Sequence, residues 1–278
     1  MVVGGALIWC IVMGVAIYAV LGSKRPRSER FADRFILLGG VAFPTISLAL
    51  LLIFGLALLP SWAEANRAEL RVHVTAEQFW WRIGYEQGDG SIVETANELH
   101  LPVGATAEFV LTSTDVIHSF WIPALGGKTD AIPGRTNVLR LEPTKTGVYR
   151  GVCAEFCGPS HALMAFPVIV HAAEEFDSWL AGEVAPAATA GSEAFLAAGC
   201  GACHVVRGVT EAAGVGPDLT HLASRRTIAA GTLDNTPENL AAWIADPEHI
   251  KPDARMPGFA MLPHEDRDAI IAYLQELR

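Results

Sequence analysis

Cys153-Ala-Glu-Phe-Cys157-Gly-Pro-Ser-His161-Ala-Leu-Met164 is the stretch from which the rest of the chain can be read. Two thiols, an imidazole and a thioether fall within twelve residues. Soft sulfur combined with imidazole suits copper better than magnesium or calcium. The C-x3-C spacing lets both sulfurs reach a shared pair of metals on one loop. A second imidazole is available upstream, from His118 in Thr114-Asp115-Val116-Ile117-His118-Ser119-Phe120-Trp121. Three other readings compete. One is a disulfide with His161 and Met164 as bystanders. Another is a mononuclear copper site, which needs only one cysteine. The third is a zinc site, for which Met164 is a poor ligand.

Outward from this loop the pattern is β. Leu70, Val72 and Val74 alternate with polar residues, and Ala107-Glu108-Phe109-Val110-Leu111, Val138-Leu139-Arg140-Leu141 and Phe166-Pro167-Val168-Ile169-Val170 are β-rich runs. Gly and Pro separate them, as in Ile132-Pro133-Gly134. This predicts a β-sandwich over residues 65–180, closed by a short helix over 174–180. Residues 181–191, Ala-Gly-Glu-Val-Ala-Pro-Ala-Ala-Thr-Ala-Gly, are small and aperiodic and read as a linker.

Residues 192–278 read as helical. Ser192 can cap a helix through Ala198, and Thr236-Pro237-Glu238 opens another with a cap, a proline and an early acid. A last helix from near Pro263 buries Ile270, Ile271, Leu274 and Leu277 at helical spacing. Within this part lies Cys200-Gly-Ala-Cys203-His204, the C-x-x-C-H pattern of covalent haem c attachment. The competing reading, a redox C-x-x-C, lacks a thioredoxin-like βαβ context. Met256, in Arg255-Met256-Pro257, is the expected sixth ligand over Met261, which is expected to pack. His73, His100, His171, His221, His249 and His264 have no spacing that marks a site.

At the other end, residues 2–22 and 35–59 are apolar and uncharged, each long enough to cross the hydrocarbon core. The first is too long for a signal-peptide core and has no basic segment before it. Lys24, Arg25, Arg27, Arg30 and Arg34 lie between them, so the connecting loop is expected in the cytoplasm and both termini outside. Cys10 reads as an apolar filler of the first span. After Arg34 there are 15 basic and 28 acidic residues, a formal charge of −13. Such an acidic surface argues against nucleic acid and for cationic partners.

The residues from Gln78 to His171 resemble subunit II of the cytochrome oxidases. The match rests on C-x-E-x-C-x3-H-x2-M at Cys153–Met164, D-V-x-H-S ending at Ser119, and Leu125-Gly126-Gly127-Lys128-Thr129-Asp130-Ala131-Ile132-Pro133-Gly134-Arg135. The C-terminal part resembles class I cytochromes c, through Cys200–His204, Gly216-Pro217-Asp218-Leu219 and Arg255-Met256-Pro257.

The resemblance implies a multidomain fold: a two-helix transmembrane hairpin (1–64), an all-β cupredoxin-like sandwich (65–180), the linker (181–191) and an all-α class I cytochrome c domain (192–278). It implies a dinuclear copper centre bridged by Cys153 and Cys157. His118 and His161 would be nitrogen ligands, with Met164 and the main-chain carbonyl of Glu155 as weak ligands. The family also uses the side chain at the Glu155 position for a magnesium or manganese ion shared with subunit I. For the haem it implies thioether bonds to Cys200 and Cys203 and axial His204 and Met256.

The function implied is electron transfer in a two-pass subunit of a bacterial plasma-membrane oxidase. Electrons from a c-type cytochrome or a cytochrome bc complex would pass through the haem and copper centres. Subunit I would receive them and reduce oxygen to water with proton pumping; subunit III and membrane lipid are further expected partners. A copper subunit of a related nitric oxide reductase and a copper-delivery protein are the alternatives. The electron-transfer aromatics would be Phe79, Trp80 and Trp81. Phe79 stands where the family has the tryptophan that receives electrons from soluble cytochrome c, and Trp80 and Trp81 are expected to pack against subunit I. Leu37 stands seven residues before Pro44, where many relatives have a glutamate feeding a proton path.

Overall fold

A computed structural model describes residues 2–22, 28–58, 68–187, 189–210 and 214–278. The chain divides into two compact units, Met1–Ser61 and Trp62–Arg278.

The first unit is helical. Helix α1 spans Val2–Leu21. A second continuous helix comprises α2 (Glu29–Phe35), a π-helical stretch (Ile36–Ala42) and α3 (Phe43–Ala57). The apolar helices are 19 and 29 residues long, with mean hydropathy 2.2 and 2.4. At about 1.5 Å per residue, both can cross a hydrocarbon core about 30 Å thick. The side chains of Leu7, Ile17, Leu50 and Phe54 are more than half exposed, which an apolar helix tolerates in lipid. The second helix begins six residues before its apolar run, because Ser28 is extended and Glu29 starts the first turn where the helix dipole favours an acid. Pro44 explains the π-helical stretch. It has no N–H for the Gly40 carbonyl, and the preceding turns widen so that Phe43 N–H reaches Leu38 O. Lys24, Arg25 and Arg27 of the expected cytoplasmic loop lie outside the described residues.

The second unit opens with a two-sheet sandwich. Strands β1 (Leu70–Glu77), β2 (Trp80–Glu86), β3 (Ile92–Ala96), β5 (Ala107–Ser113) and β8 (Asn137–Leu141) form one sheet in the order β3-β2-β1-β5-β8. Strands β4 (Leu99–Pro102), β6 (His118–Trp121), β7 (Thr129–Ala131), β9 (Gly147–Cys153) and β10 (Ala165–His171) form the other, β4-β10-β9-β6-β7. The alternation is visible in β5, where Ala107, Phe109, Leu111 and Ser113 are buried and the intervening residues are not. Between the sheets Trp81 meets Phe120 and Phe166 edge-on, at centroid distances of 5.4 and 5.6 Å. The arrangement is the expected cupredoxin-like sandwich.

Helix α4 (Ala173–Val184) lays Phe176 and Trp179 on Tyr85. It continues through Val184, four residues into the expected linker. Alanine and glutamate sustain a helix there, and Arg207 Nη2 donates to Glu183 O at 2.5 Å. Ala187 is buried and its N–H donates to Arg207 O at 3.0 Å. The expected linker is thus held at Glu183 and Ala187, while its other described residues are exposed.

The remaining residues form a second core around Phe195, Leu222, Leu240, Ile244, Ile270 and Leu274. Helix α5 (Glu193–Ala197) stops at Gly199, whose φ of 79° suits a residue without Cβ. A two-strand ribbon, β11 (Thr227–Ile228) and β12 (Leu233–Asp234), precedes α6 (Pro237–Ala245), α7 (Pro247–Ile250) and α8 (His264–Glu276). Thr236 caps α6 as expected, its Oγ1 accepting from Asn239 N–H at 3.2 Å. Ile270, Tyr273, Leu274 and Leu277 are buried on α8 and just beyond it.

The two halves of this unit meet along a polar seam. Ala165 N–H donates to Ala230 O (3.2 Å), Arg226 N–H to Glu98 Oε2 (2.9 Å) and Arg207 Nη1 to Glu94 O (3.1 Å). Truncating a fully buried aromatic at the centre of the sandwich should be severe. Phe120→Ala is expected to cost about 3–5 kcal/mol, read from denaturant unfolding of the wild type and the variant.

Candidate functional site

The connection between β9 and β10 is the loop from Cys153 to Met164. Cys153 ends β9 opposite Phe120, and its N–H donates to Met164 O at 2.9 Å, closing the loop at its base. His118 begins β6 on the neighbouring strand, so the sheet order brings it over the loop. Cys153 Sγ lies 3.9 Å from Cys157 Sγ, 3.8 Å from His118 Nδ1 and 3.2 Å from Glu155 O. Cys157 Sγ lies 3.7 Å from His161 Nδ1 and 4.0 Å from Met164 Sδ. The six expected copper donors thus gather around the two sulfurs, His118 and the Glu155 carbonyl at Cys153, His161 and Met164 at Cys157. The two thiols are free, far beyond the roughly 2.05 Å of a disulfide. His118, Cys153 and Cys157 are buried, and their donor atoms lie within 4.8 Å of one another.

The polar neighbours orient these groups. His118 Nε2 lies 2.8 Å from Asp115 Oδ1, a partner that takes the Nε2 proton and leaves Nδ1 for metal. Burial would raise the Asp115 pKa, yet hydrogen bonds from His118 and from Gln78 N–H and Val116 N–H hold it below the usual carboxylate range. Without metal, the hydrogen bond from Cys157 draws the Cys153 thiol down to about 3, against burial and with help from His118. Cys157 is pushed up by the Cys153 thiolate beside it and by burial. Metal binding to these sulfurs releases the protons they hold.

Glu155 is exposed on the loop, and Phe156 beside it is 76% exposed. Ile117 and Val116 are also exposed, so an apolar rim surrounds the loop.

Cys200 to Ala202 form a tight helical turn in which the N–H groups of Cys203 and His204 donate to Cys200 O. This turn puts both cysteines and His204 on the wall of a cavity of about 1240 Å³. His204 Nδ1 lies 2.8 Å from Pro217 O, which leaves Nε2 to face the cavity. Burial lowers the His204 pKa, opposed by that carbonyl. Gly216 stands against the imidazole, where a Cβ would come within 2.7 Å of Cε1. Met256 lines the same cavity. Met261 is 91% exposed and neither packs nor faces the cavity, because it falls on a turn outside the second core. Arg207 Nε, Arg225 Nε and Thr227 Oγ1, from residues that line the cavity, are buried without a hydrogen-bond partner.

The opposite wall of the cavity belongs to the sandwich, with Gln78, Phe79, Trp80 and Arg82. Phe79 is 3% exposed and Trp80 lies under the Arg82 guanidinium at 4.7 Å. Trp81 is wholly buried in the sandwich and meets the His118 ring edge-on at 6.1 Å. The expected packing of Trp81 on another subunit is therefore corrected. It sits on the inward-facing position of β2, one residue out of phase with Trp80.

Sequence reasoning missed two groups. His100 and His171 stand with Nδ1 and Nε2 2.8 Å apart, because β4 and β10 pair in parallel, and Glu98 lies 3.1 Å from His100 Nε2. No spacing along the chain signals that pair. The other is Lys251, buried between the halves, whose only sequence signal was its place five residues before Met256.

Comparison with known proteins gives two family matches. Residues 72–173 match "Cytochrome C oxidase subunit II, periplasmic domain", and residues 188–278 match "Cytochrome c". Cytochrome c oxidase subunit 2 of Alkalihalophilus pseudofirmus is 42% identical over 222 residues, covering 77% of this chain and 63% of the relative. Cytochrome c oxidase subunit 2 of Bacillus sp. strain PS3 is 35% identical over 263 residues, covering 87% of this chain and 71% of the relative. The crystal structure of the periplasmic domain of subunit II of cytochrome oxidase from Bradyrhizobium japonicum is 33% identical. It covers 42% of this chain and 95% of that one, with a TM-score of 0.40. The chain thus spans about two thirds of the length of these full-length relatives.

The carboxylate behind His118 gives a direct test of the site. Asp115→Ala should weaken copper binding roughly 10–100-fold, measured by competition with a chelator, while the far-ultraviolet circular dichroism stays unchanged.

Proposed function

Since the chain belongs to the cytochrome c oxidase subunit II family, we propose that it is the electron-transfer subunit of a haem–copper terminal oxidase. One observation carries the reading. Two thiols lie 3.9 Å apart, and two imidazoles, a thioether and a carbonyl each lie 3.2–4.0 Å from one of the two sulfurs, beside a cavity walled by a C-x-x-C-H turn.

The family brings copper and haem c to the chain, and the residues fit both. Cys153 and Cys157 would hold a pair of coppers together with His118, His161, Met164 and the Glu155 carbonyl. Soft sulfur and neutral imidazole are what copper prefers, and the buried site keeps water away from them. On the haem side, Cys200 and Cys203 form the thioethers, His204 offers Nε2 and Met256 its sulfur. The unpartnered donors of Arg207, Arg225 and Thr227 suit the haem's carboxylates. Held there, the two cofactors supply one-electron redox chemistry without bond making at a substrate. No residue of this chain is needed as acid, base or nucleophile, and oxygen is reduced to water in subunit I, with proton pumping.

The functional domains follow as 1–64, 65–180 and 192–278, with residues 181–191 as the linker between the last two. The exposed Phe156, Ile117 and Val116 form the face for subunit I, and Glu155 beside them supplies a ligand to a shared magnesium or manganese ion. Phe79 and Trp80 separate the haem cavity from the copper loop. The two apolar helices anchor a domain that lies outside a bacterial plasma membrane, with both termini on that side. A reduced c-type cytochrome or a cytochrome bc complex donates to the haem, and subunit III completes the assembly.

Metal and haem analysis of the purified chain should give two coppers per haem, with a seven-line mixed-valence pattern in electron paramagnetic resonance. A single copper or a four-line pattern would remove the dinuclear assignment. Cys157→Ser should abolish the pattern and leave the haem spectrum intact, because a serine oxygen does not bridge as a thiolate does.

A further inference from the structure

Lys251 is only 3% exposed, and burial draws its pKa down to about 7, so the group needs acceptors to stay charged. An ammonium has three N–H donors, and here each meets a main-chain carbonyl. Nζ donates to Phe79 O at 2.7 Å, Leu163 O at 3.0 Å and Ala229 O at 2.9 Å. Ala229 belongs to the haem half. Phe79 and Leu163 belong to the copper half, and Leu163 adjoins Met164.

Lys251 begins the short segment that ends at Met256. Along it, Ser160 Oγ, beside His161, donates to Pro252 O at 2.6 Å. Arg255 Nη2 donates to Asp115 Oδ2 at 3.2 Å and Gln78 Oε1 at 3.4 Å. Asp115 holds His118, and Gln78 Nε2 donates to Cys157 O at 2.6 Å. Residues next to, or hydrogen-bonded to, four copper donors are therefore tied to the segment that carries the methionine. The ties are unequal. The Arg255 side chain is 62% exposed, and such a pair contributes little. Lys251 is shielded from water, and its loss takes the donor from Phe79 O and leaves Leu163 O and Ala229 O to share the single proton of the Thr232 hydroxyl.

We propose that Lys251 is a positioning residue that pins the Met256 segment to the copper loop, so that electrons cross between the halves in one docked geometry without domain movement. The proposal rests on the electron-transfer reading above and adds a residue and a constraint to it. It also accounts for Phe79 being covered: while Lys251 holds the seam closed, a diffusing donor does not reach that side chain, and the haem is the acceptor.

The test uses the full chain carrying both centres in detergent. Wild-type spectra are read first; a chain lacking either centre would overturn the functional reading, and the proposal with it. The haem is then reduced photochemically and the electron followed to copper. Lys251→Met is expected to slow that transfer roughly tenfold, because the two centres are no longer held in one fixed orientation. Haem and copper spectra and the haem potential should stay as in the wild type, and amide hydrogen exchange at residues 78–80 and 160–164 should quicken. Transfer at the wild-type rate with both centres loaded overturns the proposal. If Lys251→Met does not assemble, Lys251→Arg decides. Its planar fork keeps the charge but does not serve three converging carbonyls, so slow transfer is again expected and a wild-type rate again overturns. Arg255→Gln should slow transfer by less than about fivefold, the scale of an exposed ion pair. A loss there exceeding that of Lys251→Met assigns the role to Arg255 and overturns the proposal.

Discussion

The hydrogen bond from Cys153 N–H to Met164 O holds the functional half of this molecule together. It continues the β9–β10 ladder by one rung and turns a twelve-residue excursion into a closed loop. Within that closure Cys157 and His161 face the same point as the two ends. The ladder between β9 and β6 then brings His118 over the loop from another strand. A soft-metal site needs several donors in one place before the metal arrives, because each thiol or imidazole left to wander costs conformational entropy on binding. Here the sheet has ordered them during folding.

The electrostatics follow from that geometry. Two buried thiols in contact differ in acidity, Cys153 drawn down and Cys157 pushed up, and the imidazole beside them is braced from behind by Asp115. Asp115 is in turn fixed by main-chain N–H groups of Gln78 and Val116. The chain of contacts runs from copper donor to carboxylate to the haem half through Arg255. The large cavity beside His204 has walls from both halves. That shared wall explains why so many charged side chains are buried at the seam. Arg207 and Arg225 are satisfied in part by the Glu94 carbonyl and the Thr95 hydroxyl of the neighbouring half, and each keeps a buried Nε without a hydrogen-bond partner.

Much of this was written in local sequence. The copper loop, the C-x-x-C-H turn and the apolar spans are short-range patterns, and their chemistry depends on residue type and spacing more than on the fold. The β alternation of Val72, Val74, Phe109 and Leu111 and the cap at Thr236 likewise act within a few residues. Boundaries were less legible. The second helix runs on into charged residues, and α4 runs on into a segment of small ones, since nothing in either stretch breaks a helix.

What the sequence by itself determined, then, was which atoms could bind copper and haem and which segments were apolar enough for lipid. Tertiary structure alone decided which of these atoms meet. Trp81 went to the interior and Trp80 to the cavity because a strand sends successive residues to opposite faces. His100 found His171, and Lys251 found Phe79 and Leu163, across 71, 172 and 88 residues of chain. Such pairs carry no local signature. They form because a buried polar group must find a partner, and the partner available is whatever the packing of the two halves delivers.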